Sequence, residues 1–210
     1  MKSVFRRTSL SVLVLAGALW SLSGCAPLIV GGAAVMGGML ATDRRTSGTV
    51  VEDEGIEIKA QSRIRDSLLE RAHVNVTSYN RQVLLTGEVP SAQDKQLVEK
   101  IVAGVDNVRN IVNELEVLGN STLAQRSSDS LVTGRAKAAL LDSQDLFANA
   151  FKLTTERGTT YMMGRVTQRE AKRATDIISA TTGVQRVVRV LEIISEEDLT
   201  RLQPAPAAKK

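Results

Sequence analysis

The chain has 210 residues, 24% charged and 43% hydrophobic, enough for one or two small globular domains. Its net charge of +4 would by itself admit a nucleic-acid partner, but aromatics at 3% supply no stacking platform for single strands. One histidine, His73, excludes the usual multi-histidine zinc site, and one cysteine leaves no disulfide framework and no cysteine metal site.

Lys2, Arg6 and Arg7 precede an apolar run from Leu10 to Leu22, followed by Leu22-Ser23-Gly24-Cys25. That order is the charged start, short apolar region and small-residue cleavage site of a secretory signal. Closed by the chain's single cysteine, it resembles a bacterial lipobox. The resemblance implies removal of residues 1–24, diacylation of the Cys25 thiol and acylation of the new amino terminus. An ordinary signal peptide and an uncleaved anchor are the alternatives; the run is shorter than the roughly 20 residues of a membrane span. A second apolar stretch, Ala26 to Ala41, contains Gly31, Gly32, Gly37 and Gly38, each weakening a helix by about 1 kcal/mol relative to alanine. Several acyl chains on Cys25 would anchor the protein permanently, where one chain binds only marginally. Ala26, rather than aspartate, implies by the same resemblance an outer-membrane location facing the periplasm. Residues 25–55 are then the lipidated cysteine and a tether, of which Thr42 to Gly55 is the polar and charged part.

Past the tether the chain repeats itself. With Gly87 placed on Gly164, Val74-Asn75-Val76-Thr77 falls on Phe151-Lys152-Leu153-Thr154, and Val89 on Val166. After a two-residue offset, Gly104-Val105 falls on Gly183-Val184. Each copy reads helix, strand, strand, helix, strand. In the first, residues 56–118, the spacing of Ile56, Ala60, Ile64 and Leu68 predicts a helix over 56–72. Strands over 74–79 and 82–89 turn at Asn80-Arg81, with Val83, Leu85 and Val89 alternating onto one face. Ser91 and Asp94 start a helix carrying Leu97, Val98, Ile101, Val102 and Val105 at amphipathic spacing, and a strand over 107–118 follows.

A linker over 119–129 leads to the second copy, residues 130–194. Its first helix is expected from Ser130 to about Phe147. A hairpin over 152–155 and 159–166 turns at Gly158, and Thr167 with Glu170 caps a helix over Ala171, Ala174, Ile177 and Ile178. A strand over 185–194 closes the copy, and residues 195–210 form a tail with a short helix through Leu202. Each copy should be an α+β sandwich of a three-stranded mixed sheet with two helices on one face.

The αββαβ order, Val-Leu-Leu-Thr-Gly at 83–87, Tyr-Met-Met-Gly at 161–164 and the two Gly-Val pairs resemble BON domains. Two such copies behind a lipobox resemble the dual BON-domain outer-membrane lipoprotein family, a likeness extending to Ile194. That resemblance implies anionic phospholipid binding by the second copy, a role in outer-membrane integrity and, in some members, association with division sites.

The residues give their own reason to choose the second copy. Residues 56–118 carry 8 Lys/Arg against 9 Asp/Glu, whereas 125–195 carry 11 against 7. Only the second has cations to spare for an anionic bilayer, each worth roughly 1 kcal/mol near its surface. On its first helix Val132, Ala136, Leu140 and Phe147 fall on the core face. Leu131, Gly134, Ala138 and Leu141 fall on another, flanked by Arg135 and Lys137. These six residues are the candidate phospholipid site, an interfacial helix with its cations left in water. The corresponding side of the first copy offers Lys59, Ser62, Asp66 and Leu69. The competing expectation is that Leu131 and Leu141 pack against the first domain. Asp142 and Asp145 lie near the proposed face and count against lipid contact, unless the helix frays before them.

No nucleophile–base pair, phosphate-cradling loop or metal-ligand spacing is visible, so no catalytic residue or cofactor is assigned. The rival function is a structural adaptor for an envelope protein, from outer-membrane assembly, the division site or the peptidoglycan-associated set. The Pro-Ala-rich end, Gln203 to Lys210, is expected to be disordered.

Overall fold

Polar as it is, the stretch ahead of Ile56 folds. The computed structural model describes residues 43–202; the signal, Cys25 and the end beyond Leu202 lie outside them. Helix α1 spans Ser47–Leu68, with the Thr46 hydroxyl accepting from the Thr49 amide at 3.2 Å. The expected tether over 42–55 is therefore, from Asp43 on, a short lead-in and the first turns of a helix. Of its charges Glu54 is exposed, whereas Arg44 and Asp53 are buried, at 7% and 1% exposed. Ile56, Ala60, Ile64 and Leu68 form the buried stripe as expected.

Strands β1 (His73–Tyr79) and β2 (Gln82–Val89) are an antiparallel hairpin. Asn80 and Arg81 turn it with φ of 51° and 64°, the two left-handed residues of a tight hairpin turn. Helix α2 (Ala92–Ala103) starts at a Ser91 cap, 3.1 Å from the Asp94 amide, and returns the chain for parallel pairing with β2. The expected strand over 107–118 is broken into β3 (Asn110–Asn113) and β4 (Glu116–Val117). Between them Leu115, 2% exposed, is turned into the core.

In the second copy helix α3 runs Leu123–Leu141, earlier at both ends than expected. The Thr122 hydroxyl caps it by accepting from the Gln125 amide at 3.2 Å. Most of the anticipated linker is thus helix, and Phe147, beyond its end, is 49% exposed instead of lying in the core. Strands β5 (Phe151–Glu156) and β6 (Thr159–Thr167) pair antiparallel, and β7 (Arg186–Ile194) pairs parallel to β6. Helix α4 (Gln168–Ser179) begins at the Thr167–Glu170 capping box, and a short α5 (Glu196–Leu202) ends the described chain. Both copies are the expected α+β sandwich with mixed sheets.

Gly87 and Gly164 hold each hairpin tight. A Cβ on Gly87, whose φ is +109°, would lie 2.1 Å from the His73 carbonyl oxygen; on Gly164 it would lie 2.5 Å from that of Ala150. Backbone approach this close leaves room for hydrogen alone.

The helices cover one face of each sheet, and the other faces meet. Tyr79 and Leu84 of the first copy pack with Tyr161, Met163 and Val190 of the second, while Val112 and Val188 border them. Leu84 and Met163 are at most 1% exposed, and side chains of that size contribute about 1.5–3 kcal/mol each on burial. The domain contact is therefore sheet to sheet, not through the first helix of the second copy. Charge seals its rim. Arg157 Nε donates to Glu88 Oε1 at 2.6 Å, Asn80 Nδ2 to Glu192 at 2.7 Å, Asn75 Nδ2 to Glu156, and Lys152 Nζ to Glu57.

Candidate functional site

Because sheet and core claim Val132, Ala136 and Leu140 of α3, its opposite side has nothing left to cover it. Leu131 and Leu141 are each 62% exposed, and Leu123, one helix face further up, is 78% exposed. Ala138 is exposed, and a Cβ on Gly134 would find no atom within 4 Å. At about 100° per residue Leu123, Ser127, Leu131, Gly134, Ala138 and Leu141 share one side of the helix. Five of the expected site residues are thus brought together on a free surface: Leu131, Gly134, Arg135, Ala138 and Leu141. Packing of Leu131 and Leu141 against the first domain is ruled out by their exposure.

Lys137 does not belong with them. Its ammonium bends inward and donates to the carbonyl oxygens of Ala148 and, at 2.9 Å, Phe151. Burial pushes its pKa below the ordinary lysine value, against the opposing pull of the Asp43 carboxylate. It is a strut between α3 and the start of β5, so Arg135 is left as the flanking cation. Arg135 is exposed and forms no ion pair among the described residues. The nearby acids are less obstructive than their spacing suggests. Asp142 closes the helix as its C-cap, and Asp145 is held by Arg173 at 3.0 Å.

The positive surplus of the second copy also shrinks. Lys152 and Arg157 pair with Glu57 and Glu88 of the first copy, while Arg165, Arg169, Lys172 and Arg173 each meet a carboxylate of their own half. Much of the charge asymmetry between the copies is complementarity across the seam. At the bilayer, then, the apolar side chains carry more than the cations: about 1.5–3 kcal/mol for a fully buried leucine against roughly 1 kcal/mol for Arg135.

The sequence reading missed Leu123, because α3 was expected to begin at Ser130. A signal was present in Thr122 and Gln125, the cap and its partner, followed by leucines at 123, 131 and 141. Structural equivalence also changes the comparison with the first copy. Asp53, Ile56, Ala60 and Ile64 occupy the buried places of Asp129, Val132, Ala136 and Leu140. The counterparts of Leu131, Gly134, Ala138 and Leu141 are therefore Gly55, Ile58, Ser62 and Arg65, not Lys59, Ser62, Asp66 and Leu69. Val51 and Ile58 are exposed there, at 72% and 63%, without a comparable run of apolar neighbours.

A second feature lies at the seam, a polar cleft of about 370 Å³ lined by His73, Asn75, Arg126, Thr133, Thr155 and Glu156. Burial holds the Glu156 carboxyl above its ordinary pKa and the His73 imidazole below its own. Among the described residues no group of three or more His, Cys, Asp or Glu is placed to hold a metal ion. No helix among them is long and apolar enough to cross a membrane.

The BON domain family profile matches residues 52–119 and 128–195. A Haemophilus influenzae protein named Outer membrane lipoprotein DolP is 36% identical over 183 residues, spanning 86% of this chain and 94% of its own length. A 21 kDa hemolysin of Actinobacillus pleuropneumoniae is 31% identical over 154 residues, 72% of this chain and 79% of that one. Osmotically-inducible protein Y of Escherichia coli is 25% identical over 144 residues, 67% and 72% of the two chains.

Proposed function

Since the chain belongs to the BON-domain family, carrying two copies of the domain, we propose that it is an outer-membrane lipoprotein facing the periplasm, held by acylated Cys25. Its second domain binds anionic phospholipid through α3, and the protein helps to keep the outer membrane intact. The lipidated location is supported by the lipobox-like Leu22-Ser23-Gly24-Cys25 and by the name of the Haemophilus relative. The site is supported by one observation above others. Leu123, Leu131 and Leu141 stay exposed along one side of α3 although both faces of the neighbouring sheet are covered. An apolar side edged by an arginine suits the headgroup boundary of an acidic bilayer.

Protein beginning at Thr42, without lipid, tests the binding by co-sedimentation with vesicles. Retention by phosphatidylglycerol vesicles and not by phosphatidylcholine vesicles is expected. Absence of binding to either, with an envelope protein captured in its place, would favour the adaptor. For the integrity role, cells lacking the protein should admit detergents that the outer membrane normally excludes.

A further inference from the structure

The lead-in ahead of α1 is fastened to the second domain, although it belongs by sequence to the first. Arg44 is 7% exposed. Its guanidinium grips both oxygens of Glu170, at 2.8 and 2.6 Å, and donates to the Arg165 carbonyl oxygen at 2.8 Å. Glu170 is itself fixed, since it accepts from the Thr167 amide at 2.9 Å in the capping box of α4. Against the upward push of burial, Arg44 and Thr167 hold its carboxyl below the ordinary pKa. Arg45 pulls the other way. It bonds Asp53 at 2.8 Å and Asp43 at 2.7 Å, and its guanidinium sits 4.3 Å from the centre of the Tyr79 ring.

These contacts set the point at which the upstream chain joins the fold. Tyr79 donates to the Ala150 carbonyl oxygen at 3.4 Å, next to the Ala148 and Phe151 carbonyls that hold Lys137. The Asp43 carboxylate acts electrostatically on the Lys137 ammonium. On α3, Lys137 lies three residues after Gly134 and four before Leu141, so it borders the exposed side of the helix. The described chain therefore begins beside the edge of that side.

We propose that Arg44 is a positioning residue. Latched on Glu170, it seats the point of attachment beside α3, so that a membrane anchor upstream draws the leucine-lined side of the second domain onto the bilayer. The proposal rests on the membrane reading above. Tether length alone cannot choose a face. Seventeen residues lie between Cys25 and Asp43, a reach of up to about 60 Å, while a folded unit of this size is about 40 Å across. What selects the face is where the tether is fixed.

The test uses the full-length acylated protein in mixed phosphatidylethanolamine–phosphatidylglycerol vesicles. An Ala138→Cys variant carries a fluorophore on its one free thiol, and a quencher resides in the lipid. With Arg44 present the label should be strongly quenched. Arg44→Ala should lower the quenched fraction severalfold, approaching tenfold as the local concentration of the face at the surface is lost. The same substitution in unlipidated protein should leave vesicle affinity unchanged, because Arg44 acts only through the tether. Equal quenching in Arg44→Ala and wild type would overturn the latch while leaving the lipid face standing. An equal loss of affinity without the lipid would overturn it too, showing that Arg44 acts through the fold. An unquenched label in the wild type would remove the lipid face and the latch together.

Discussion

Asp53 and Asp129 hold equivalent stations in the two domains, each turned inward from the first helix to accept backbone N–H groups of its own hairpin turn. Asp53 takes the amides of Asn80 and Arg81, both at 2.8 Å; Asp129 takes those of Arg157 and Gly158, at 2.9 and 3.0 Å. The turn residues have positive φ, a cost for a side-chain-bearing residue that the carboxylate offsets. Asp129→Ala should destabilise the protein by about 3 kcal/mol, leaving two buried donors unmet. Asp53→Ala should cost about 4 kcal/mol by the same reasoning, because it also takes one of two carboxylate partners from Arg45 and leaves the Ser78 hydroxyl unmet. Urea unfolding of the two variants checks both the size and the order.

The seam between the domains depends on Arg157 through a single buried carboxylate. The Glu88 side chain is 1% exposed, and Arg157 and Ser121 satisfy it. Removing one partner of a buried pair costs about 3–5 kcal/mol, most of it the charge left behind. Arg157 is partly exposed, so Arg157→Ala belongs at the low end. Glu88→Gln, which leaves no buried charge, should cost less. The reverse order in thermal or urea melts would show that water reaches Glu88.

The same pair sets the response to acid. Burial raises the pKa of Glu88, but the bonds from Arg157 and Ser121 outweigh it and leave the value below the ordinary 4.5. Between the two values the unfolded chain holds the extra proton, so this contribution is complete above 4.5 and fades as pH falls through the folded pKa. Glu170 behaves alike through Arg44. Glu156 has the opposite sign, its contribution being lost as pH rises through its raised folded value. Urea midpoints should therefore drop on acidification below 4.5, and the drop should be shallower in Arg157→Ala. An unchanged slope in that variant would assign the acid sensitivity elsewhere.

Much of this architecture is legible in the chain. Val83, Leu85 and Val89 alternate, Gly87 and Gly164 recur in register, and Thr167 announces α4 with Glu170 as its reciprocal partner. The first helices were hidden at their starts, because the apolar residues after the Thr46 and Thr122 caps, Val51 and Leu123, face solvent and do not continue the buried stripe. The runs Val83-Leu84-Leu85 and Tyr161-Met162-Met163 also held an unread signal. A strand apolar on both faces is a strand covered twice, which is how Leu84 and Met163 come to meet across the seam. Lys137 marks the limit of spacing. Its position beside Gly134 and Leu141 follows from helical geometry, but the inward bend to the Ala148 carbonyl is set by tertiary packing alone.

Phosphatidylglycerol-vesicle affinity of Leu131→Glu and Leu141→Glu, in protein lacking the lipid anchor, tests the function most directly. Both leucines are exposed, so melting temperatures should stay at the wild-type value while affinity falls about tenfold or more, the equivalent of one leucine kept out of the bilayer. Arg135→Ala should fall less, by about fivefold, as one surface cation is worth roughly 1 kcal/mol. Variants that melt and bind like the wild type would contradict a lipid-facing α3.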